Sequence, residues 1–313
     1  MKYTITQIRM LCPSIQEITV RRPNPQADTC APGAHFKWLI PGIGEWRHFS
    51  VVQLPHSEAG THTFAIRLSA ESTSSTYIRS LSVGEDVELD GPFNHFSYPT
   101  VCHEGQDIIL AGGIGITPLL GIAGHLMSLK RKVSLHYLAR SEAEAAYAQH
   151  VQEAFGEHAH LHYSSTAGGR TNLAEIFKDM CPKDHLYVCG PAPMLESIFV
   201  IAQQVGVPRD QVHFEIFNAV DRANEHAFTV EAAESGITFD VHSDQTLLQA
   251  LEVAGLDPIY DCRRGECGVC ELDVLEGEVD HRDFIMDPNQ AMCSGKIYPC
   301  VSRAKGQHLK LAI

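Results

Sequence analysis

The stretch Cys262-Arg-Arg-Gly-Glu-Cys267-Gly-Val-Cys270 decides how the last part of this chain folds. Its spacing is C-x4-C-x2-C, and two more cysteines follow, Cys293 after 22 and Cys300 after 29 intervening residues. Thiolates are soft ligands that suit tetrahedral iron, and this spacing with a distant fourth cysteine is that of a plant-type [2Fe–2S] site. The alternative is a zinc site, but zinc sites usually use paired CxxC units. Spacing alone leaves both Cys293 and Cys300 open as the fourth ligand.

Two glycines inside this stretch fit the same interpretation. Gly265 and Gly268 would let the loop fold tightly over a cluster, with backbone N–H groups facing the sulfurs. Five of the ten cysteines lie from residue 262 onward. Cysteines crowded together in a reducing compartment usually hold a metal or a cluster.

The composition of the chain excludes several classes of protein. With 313 residues, 44% hydrophobic and 20% charged, it reads as two or three ordinary globular domains and not as a disordered or fibrous protein. A net charge of −14 argues against a nucleic-acid partner. No apolar run reaches the ~20 residues of a membrane helix, and the first residues lack a signal-peptide core. We therefore expect a soluble, cytoplasmic protein with no membrane partner.

The chain changes its pattern twice. Residues 1–100 carry short apolar runs separated by Gly, Pro, Asn and Ser, which predicts a small antiparallel barrel or sandwich with one short helix near Ser75–Leu81. Residues 101–220 alternate strands with helices, which predicts an α/β domain with a parallel sheet. A polar linker is predicted over Ala219–His226, and a third domain over 227–313. The helices predicted in the middle domain are Thr117–Arg131, Ala143–Phe155, Thr171–Met180 and Ala192–Val205.

Two glycine-rich turns in the middle domain indicate a nucleotide site. Gly112–Pro118 (GGIGITP) follows an apolar strand and opens a helix, and Cys189–Met194 (CGPAPM) does the same. In a doubly wound sheet such turns can lie side by side at the carboxyl edge, where helix N-termini favour phosphate. Packing alone is the alternative for either turn taken singly. The residues assigned to this site are Gly112, Gly113, Gly115, Thr117, Pro118, Cys189, Gly190, Pro191 and Met194.

A third motif lies in the first domain, at Arg47-His-Phe49-Ser50. On a strand, these side chains could offer a charge, an aromatic ring and a hydroxyl to a flavin. Such a short pattern occurs often by chance, so its weight comes from its place before the two glycine turns and the cysteines.

In this order, the motifs resemble the phthalate dioxygenase reductase family over the whole chain. Its members are ferredoxin–NADP reductase-like flavoproteins with a ferredoxin at the C-terminus. The resemblance implies a flavin-binding antiparallel β-barrel at 1–100, an NAD-binding α/β domain at 101–220 and an α+β, ferredoxin-like (β-grasp) [2Fe–2S] domain at 227–313. The other matching pieces are Gly91–Phe96 (GPFNHF), His213–Phe217 (HFEIF), Gly277–Asp283 (GEVDHRD) and Cys300–Lys305 (CVSRAK). The last of these makes Cys300 the expected fourth cluster ligand.

The resemblance also implies an activity. The chain would be the NADH-dependent reductase component of a two-component Rieske-type oxygenase or demethylase, of the kind that serves aromatic catabolism. Hydride would pass from NADH to FMN, and single electrons through the cluster to a separate oxygenase chain. The sequence has no C-x-H half of a Rieske motif, so the oxygenase must be another chain. The alternatives are a reductase for a cytochrome P450 or a separate ferredoxin, and a non-enzymatic iron–sulfur redox sensor.

Motif matching assigns the remaining site residues. Ser74-Ser75-Thr76 stands where the family has a GGS-like phosphate segment, and Phe49 replaces the family's tyrosine, which loses a hydroxyl. FMN is expected rather than FAD. Arg140 is followed by Glu142 and Glu144 with no second cation nearby, which favours NADH over NADPH. The catalytic residues beside the nicotinamide would be Thr117 and Cys189. The flavin contacts would be Arg47, Phe49, Ser50, Ala65, Arg67, Ser74, Ser75, Thr76 and, over the ring, Phe217.

Overall fold

The structure is a computed structural model with two compact units, Met1–Glu215 and Ile216–Ile313. It describes residues 1–23, 30–54, 58, 60–70, 72–96, 103–166, 169, 171–217, 226–286 and 293–313. The linker predicted over Ala219–His226 lies outside the described residues except for its last residue. Within the described ranges, no helix is long and apolar enough to cross a membrane.

The first unit begins with a six-stranded antiparallel sheet in the order β4-β3-β6-β1-β2-β5. Alternate side chains point inward, so Phe36, Trp38 and Phe64 are fully buried in its core. The edge strands β4 and β5 come together at a bridge between Val51 and Phe64, so the sheet curls without a continuous ladder closing it. The strands are β1 (Lys2–Cys12), β2 (Ile15–Arg21), β3 (His35–Ile40), β4 (Glu45–Ser50), β5 (Thr61–Arg67) and β6 (Asp86–Phe93). One helix, α1 (Thr73–Ser80), lies between β5 and β6 in the chain.

The rest of the first unit is a parallel sheet in the order β11-β10-β7-β8-β9, with helices in the connections between its strands. The central strand β7 is buried at all six positions, as expected for a strand covered on both faces. The strands are β7 (Asp107–Gly112), β8 (Val133–Ala139), β9 (Ala159–Tyr163), β10 (His185–Cys189) and β11 (Val212–Glu215). The helices are α2 (Ile116–Ser128), α3 (Ala148–Phe155), α4 (Leu173–Ile176) and α5 (Ala192–Val205).

Two of the predicted helices are wrong in extent. The helix predicted over Ala143–Phe155 begins only at Ala148, because residues 142–144 form a 3₁₀ turn and Tyr147 has a left-handed backbone (φ 62°). The helix predicted over Thr171–Met180 is reduced to the four residues of α4. Phe177 and Met180 are buried but lie outside that helix. The spacing of apolar residues in this segment therefore reflects burial and not a continuous helix.

The second unit is a mixed five-stranded sheet in the order β13-β12-β18-β14-β16, with a separate two-stranded pair β15-β17. Helix α6 begins with a capping box between Thr246 and Gln249 and buries Leu247, Leu248 and Leu251. The strands are β12 (Phe228–Ala232), β13 (Ile237–Val241), β14 (Leu272–Glu276), β15 (Val279–Asp280), β16 (Lys296–Ile297), β17 (Arg303–Ala304) and β18 (His308–Ala312), and α6 is Leu247–Val253.

Arg303 ties distant parts of this unit together. Its guanidinium is buried and donates to the carbonyl oxygens of His226 (2.9 Å), His242 (3.0 Å) and Gln245. A buried cation with several acceptors is compensated for its lost hydration. Arg303 therefore fastens the segment after Cys300 to the beginning of the unit.

Two histidines of the parallel sheet make stability depend on pH. Burial, together with neighbouring histidines, lowers the pKa of His136 and of His213 to about 4. The unfolded chain takes up these protons near pH 6.5, so each histidine contributes stability above pH 6.5 that is lost as the pH falls toward 4. We expect a loss of roughly 2 kcal/mol per histidine in the free energy of unfolding. Urea unfolding at pH 7, 5.5 and 4 measures it.

The control for this prediction is an exposed histidine of the same unit. His136→Gln and His213→Gln should flatten the pH dependence of the free energy of unfolding, whereas His158→Gln should leave it unchanged. An equal pH dependence in all four proteins would contradict the assignment.

Candidate functional site

The two glycine-rich turns lie side by side at the carboxyl edge of the parallel sheet. Strands β7 and β10 are neighbours, with Ala111 opposite Cys189. A Cβ added to Gly115 would lie 2.1 Å from the carbonyl oxygen of Cys189, and one added to Gly190 would lie 3.1 Å from Cα of Gly112. The backbones thus approach closer than side chains would allow, and helices α2 and α5 begin at this same edge. Such an edge is where dinucleotides bind in open α/β sheets.

Other residues of these turns support the close packing. The side chain of Met194 covers both turns, because a Cβ on Gly112 would lie 3.0 Å from its sulfur and one on Gly190 2.3 Å from its methyl carbon. A Cβ on Gly112 would also lie 2.9 Å from Cδ of Pro191. Thr117 and Pro118 lie buried in the first turn of α2, and Gly113 starts the 3₁₀ turn before it. The Thr117 hydroxyl donates to Ile114 O at 3.0 Å, which leaves its oxygen able to accept.

A glutamate that motif matching did not assign completes this edge. Glu215 ends β11, lies opposite Cys189 in the parallel register and is 5% exposed. The buried Ser50 hydroxyl at the end of β4 donates to Glu215 Oε2 at 3.4 Å. Ser50 of the antiparallel sheet therefore contacts Glu215, which is paired with Cys189 in the parallel sheet. The available signal was the acidic residue in an otherwise apolar strand, within His213–Phe217.

The predicted phosphate segment is the first turn of a helix. Ser74, Ser75 and Thr76 lie in α1, whose cap, Ser72, accepts from the N–H of Ser75 at 3.3 Å. Arg47 Nε donates to Ser74 Oγ at 3.3 Å, so the structure brings the Arg47 motif to this turn. A guanidinium, hydroxyls and the N-terminal N–H groups of a helix are a donor set that suits a phosphate. The residues present therefore fit a flavin phosphate.

The other residues assigned to the flavin lie on different elements and differ in their burial. Phe49 packs edge-on against Trp38, with ring centroids 5.9 Å apart, so part of its ring belongs to the core of the sheet. Ala65 is buried on β5, and Arg67 is exposed at the end of the same strand. Phe217 is half-buried and belongs to the second unit, and its role against the flavin stays a prediction.

Arg140 begins the loop that follows β8 at this same edge of the parallel sheet. Its side chain is exposed, and its carbonyl accepts from the N–H of Ser165 at 2.9 Å. Glu142 and Glu144 form the 3₁₀ turn just beyond it. The loop therefore offers one cation and two carboxylates near the edge where a dinucleotide would bind.

In the second unit, the structure gathers the four predicted cluster cysteines. The sulfurs of Cys270 and Cys300 are 3.4 Å apart, and both side chains are buried. Hydrogen bonds with the thiols of Cys267 and Cys300 hold the pKa of Cys262 far below its usual range. Cys293, the other candidate for fourth ligand, is exposed. Four converging thiols, two of them in buried mutual contact, fit a [2Fe–2S] cluster.

The backbone of the cysteine loop also suits a cluster. The N–H of Arg264 donates to the sulfur of Cys262 at 3.3 Å. Gly265 and Gly268 both have left-handed backbones, with φ of 76° and 78°. A Cβ on Gly265 would also lie 2.6 Å from a methyl group of Val301. Backbone donors aimed at sulfur stabilise thiolate ligands and influence the redox potential of a cluster.

A second glutamate that sequence reasoning missed lies between the cluster ligands. Glu266 pairs with Arg264 at 2.7 Å, and its other oxygen accepts from the N–H of Ile216 at 2.6 Å. Its side chain is 4% exposed. Because a buried carboxylate needs such partners, the three residues fix the loop that precedes Cys267.

Comparison with family models divides the chain in the same order. Residues 2–98 match the oxidoreductase FAD-binding domain, residues 109–199 the oxidoreductase NAD-binding domain and residues 230–305 the 2Fe-2S iron-sulfur cluster binding domain. The expectation of flavin, NAD and [2Fe–2S] binding in one oxidoreductase chain is thereby confirmed.

Proteins with this arrangement match the chain over most of its length. The carnitine monooxygenase reductase subunit of Escherichia coli K12 is 34% identical, over 84% of this chain and 82% of that protein. The heme-dependent oxidative N-demethylase beta subunit of Ectopseudomonas mendocina is 31% identical, over 98% and 97%. The structure of phthalate dioxygenase reductase, which transfers electrons from pyridine nucleotides to [2Fe–2S], superposes with a TM-score of 0.73 at 26% identity, over 100% of this chain and 98% of that one. The chain belongs to the phthalate dioxygenase reductase family and is an electron-transfer reductase component of an oxygenase or demethylase system.

Proposed function

We propose that this reductase takes electrons from NADH through FMN and [2Fe–2S] and delivers them singly to a separate Rieske-type oxygenase or demethylase in the cytoplasm. In this proposal residues 1–100 form a flavin-binding barrel, 101–220 an NAD-binding domain and 227–313 a β-grasp ferredoxin domain. The nine described cysteines form no disulfide with one another, which suits a reducing compartment. The observation that carries the proposal is the meeting of Ser50 with Glu215 beside the two glycine turns.

In this proposal, different residues of the first unit bind the flavin and the nicotinamide. Bound flavin would supply the exchange of one hydride for two single electrons, and a bound cluster would carry one electron at a time. Arg47 and the first turn of α1 would hold the flavin phosphate, and a single such turn favours FMN over FAD. Glu215 holds the Ser50 hydroxyl in place. Thr117 and Cys189 would border the nicotinamide from the parallel sheet.

The first experiment is an anaerobic NADH titration followed in the visible spectrum. We expect loss of flavin and cluster absorption with about three electrons per chain, two on the flavin and one on the cluster. The same titration with NADPH should need a much higher concentration, because Glu142 and Glu144 follow Arg140. A cluster that NADH cannot reduce, with no flavin bound, would overturn the proposal in favour of a redox sensor.

A haem protein is the second candidate for the electron acceptor. It is favoured by the similarity to the heme-dependent N-demethylase subunit, which covers nearly the whole chain. The reduced reductase is mixed anaerobically with a Rieske oxygenase or, separately, with a cytochrome P450. We expect it to be reoxidised in one-electron steps by the Rieske oxygenase, and more slowly by the cytochrome P450. The reverse order would transfer the assignment to the haem partner.

A further inference from the structure

A group of three polar residues centred on the buried Glu17 joins the two sheets of the first unit, with Arg9 half exposed and Tyr147 half-buried. The Tyr147 hydroxyl donates to Glu17 Oε2 at 2.5 Å. Arg9 donates to the same carboxylate through both Nε (2.5 Å, to Oε1) and Nη2 (3.1 Å, to Oε2). Glu17 is only 3% exposed. A buried carboxylate with three donors is held in place, because moving either Arg9 or Tyr147 would break at least one of its hydrogen bonds.

The backbone at Tyr147 is strained in a way that this group explains. Tyr147 has φ 62° and ψ 13°, a left-handed conformation that a bulky residue rarely adopts. Such a conformation is unfavourable and persists only where the surroundings enforce it. The hydrogen bond to Glu17 is the contact that enforces it here, and the strain points to a functional role for the position.

Tyr147 ends the loop 140–147, which follows β8 at the carboxyl edge of the parallel sheet. At that edge Leu138 of β8 lies opposite Gly112, the first residue of the glycine turn. The loop is held at its beginning by the hydrogen bond from Ser165 N to Arg140 O (2.9 Å). In its middle, the thiol of Cys12 on β1 approaches Glu144 O at 4.0 Å. The loop is therefore fastened at three points, two of which lie on the antiparallel sheet.

On the antiparallel side, the group continues into a strand assigned to the flavin. Arg9 lies opposite Glu17 in the pairing of β1 with β2, and Glu17 lies opposite Ala65 in the pairing of β2 with β5. Residues directly opposite each other in an antiparallel sheet point to the same face. Ala65 is among the residues assigned to the flavin by motif matching. The row Arg9–Glu17–Ala65 thus connects the loop 140–147 to β5, the strand that carries the flavin-assigned residue Ala65.

We propose that Arg9, Glu17 and Tyr147 are positioning residues that fix the loop 140–147 and thereby set the affinity for NADH and its selection over NADPH. The inference rests on the proposed function, in which this loop meets the adenosine end of the dinucleotide. The carboxylates of Glu142 and Glu144 repel a 2′-phosphate only while the turn that carries them is held still. A loosened loop would both bind NADH less well and reject NADPH less well.

The test is Tyr147→Phe in the full chain, assayed by steady-state reduction of ferricyanide with NADH and with NADPH. The variant keeps the ring and removes the hydroxyl. We expect the KM for NADH to rise about tenfold, the size expected for one buried hydrogen bond to a charged group, with kcat within about twofold. The preference for NADH over NADPH in kcat/KM should shrink by a similar factor. Glu17→Gln keeps an acceptor for Tyr147 and should raise the KM less.

The matched control is Tyr298→Phe, which removes a similar hydrogen bond, from Tyr298 OH to Glu271 Oε2 at 2.9 Å, in the second unit. It should leave both the KM for NADH and the coenzyme preference unchanged. An unchanged KM and preference in Tyr147→Phe and Glu17→Gln would overturn the proposal, as would a loss of kcat with flavin release and no change in preference. If Tyr147→Phe does not fold, Glu17→Gln alone decides between these outcomes. Failure of the wild-type chain to oxidise NADH would instead reject the proposed function.

Discussion

Cys300→Ser should stop electron delivery to cytochrome c while leaving intact the NADH oxidation by ferricyanide, which can take electrons directly from the flavin. Cys300 is buried, with its sulfur 3.4 Å from that of Cys270, and a hydroxyl is a poor ligand for iron at this position. Loss of one of four ligands should leave a chain without its cluster. We expect NADH-dependent reduction of cytochrome c to fall by at least ~100-fold, because that route depends on the cluster. Iron content and the visible spectrum of the purified variant report the loss directly.

The control is the cysteine that spacing alone could not exclude. Cys293 is exposed, and Cys293→Ser should keep iron, spectrum and cytochrome c reduction at the wild-type level. A cluster retained in Cys300→Ser and lost in Cys293→Ser would reverse the assignment of the fourth ligand.

Gly115→Ala should disable the dinucleotide site by steric conflict alone. Gly115 has an ordinary helical backbone (φ −60°), so alanine adds no backbone strain there. Its Cβ would lie 2.1 Å from the carbonyl oxygen of Cys189, and neither backbone can yield without separating β7 from β10. Overpacking against rigid backbone costs about 3 kcal/mol, which for a unit of this size lowers the melting temperature by roughly 6–12 °C. We expect the KM for NADH in the ferricyanide assay to rise at least ~10-fold.

Gly124→Ala gives the matched comparison, since Gly124 lies in α2, the helix that Gly115 precedes, and a Cβ there meets nothing within 4 Å. Alanine in an exposed helix position should raise stability by about 0.5–1 kcal/mol and leave the KM for NADH unchanged. Equal melting temperatures and equal KM values for NADH in the two alanine variants would show that the close approach of the two turns does not require glycine at position 115.

Local patterns predicted the regular parts of this fold well. The strands Ile15–Arg21, His35–Ile40 and His185–Cys189 each coincide with a short run rich in apolar residues, which is a local signal that the sequence alone carries. The cysteine spacing likewise singled out four residues that the structure brings together, and the two glycines of their loop, expected to let it fold tightly, have left-handed backbones.

Long-range contacts explain what the sequence did not reveal. The helix predicted over Ala143–Phe155 begins only after Tyr147, whose hydroxyl is bound by Glu17, 130 positions away. Glu215 became a candidate only when the structure placed it beside Ser50, 165 positions away. The carboxylate of Glu266 accepts a hydrogen bond from the N–H of Ile216, which lies 50 positions earlier in the chain. Charged groups buried by partners far along the chain leave no periodic signal.

The hydrogen bonds of Arg303 determine where the iron–sulfur unit could be cut out of the chain. The family model ends at residue 305 and begins at residue 230. A fragment with those limits would lack the whole of β18, which lies in the middle of the five-stranded sheet between β12 and β14. It would also lack His226, whose carbonyl takes one of the Arg303 hydrogen bonds. Ile216, whose N–H binds Glu266 in the cluster loop, lies earlier still. A separately expressed module should therefore start no later than Ile216 and continue through β18, so its physical boundary is wider than its family signature.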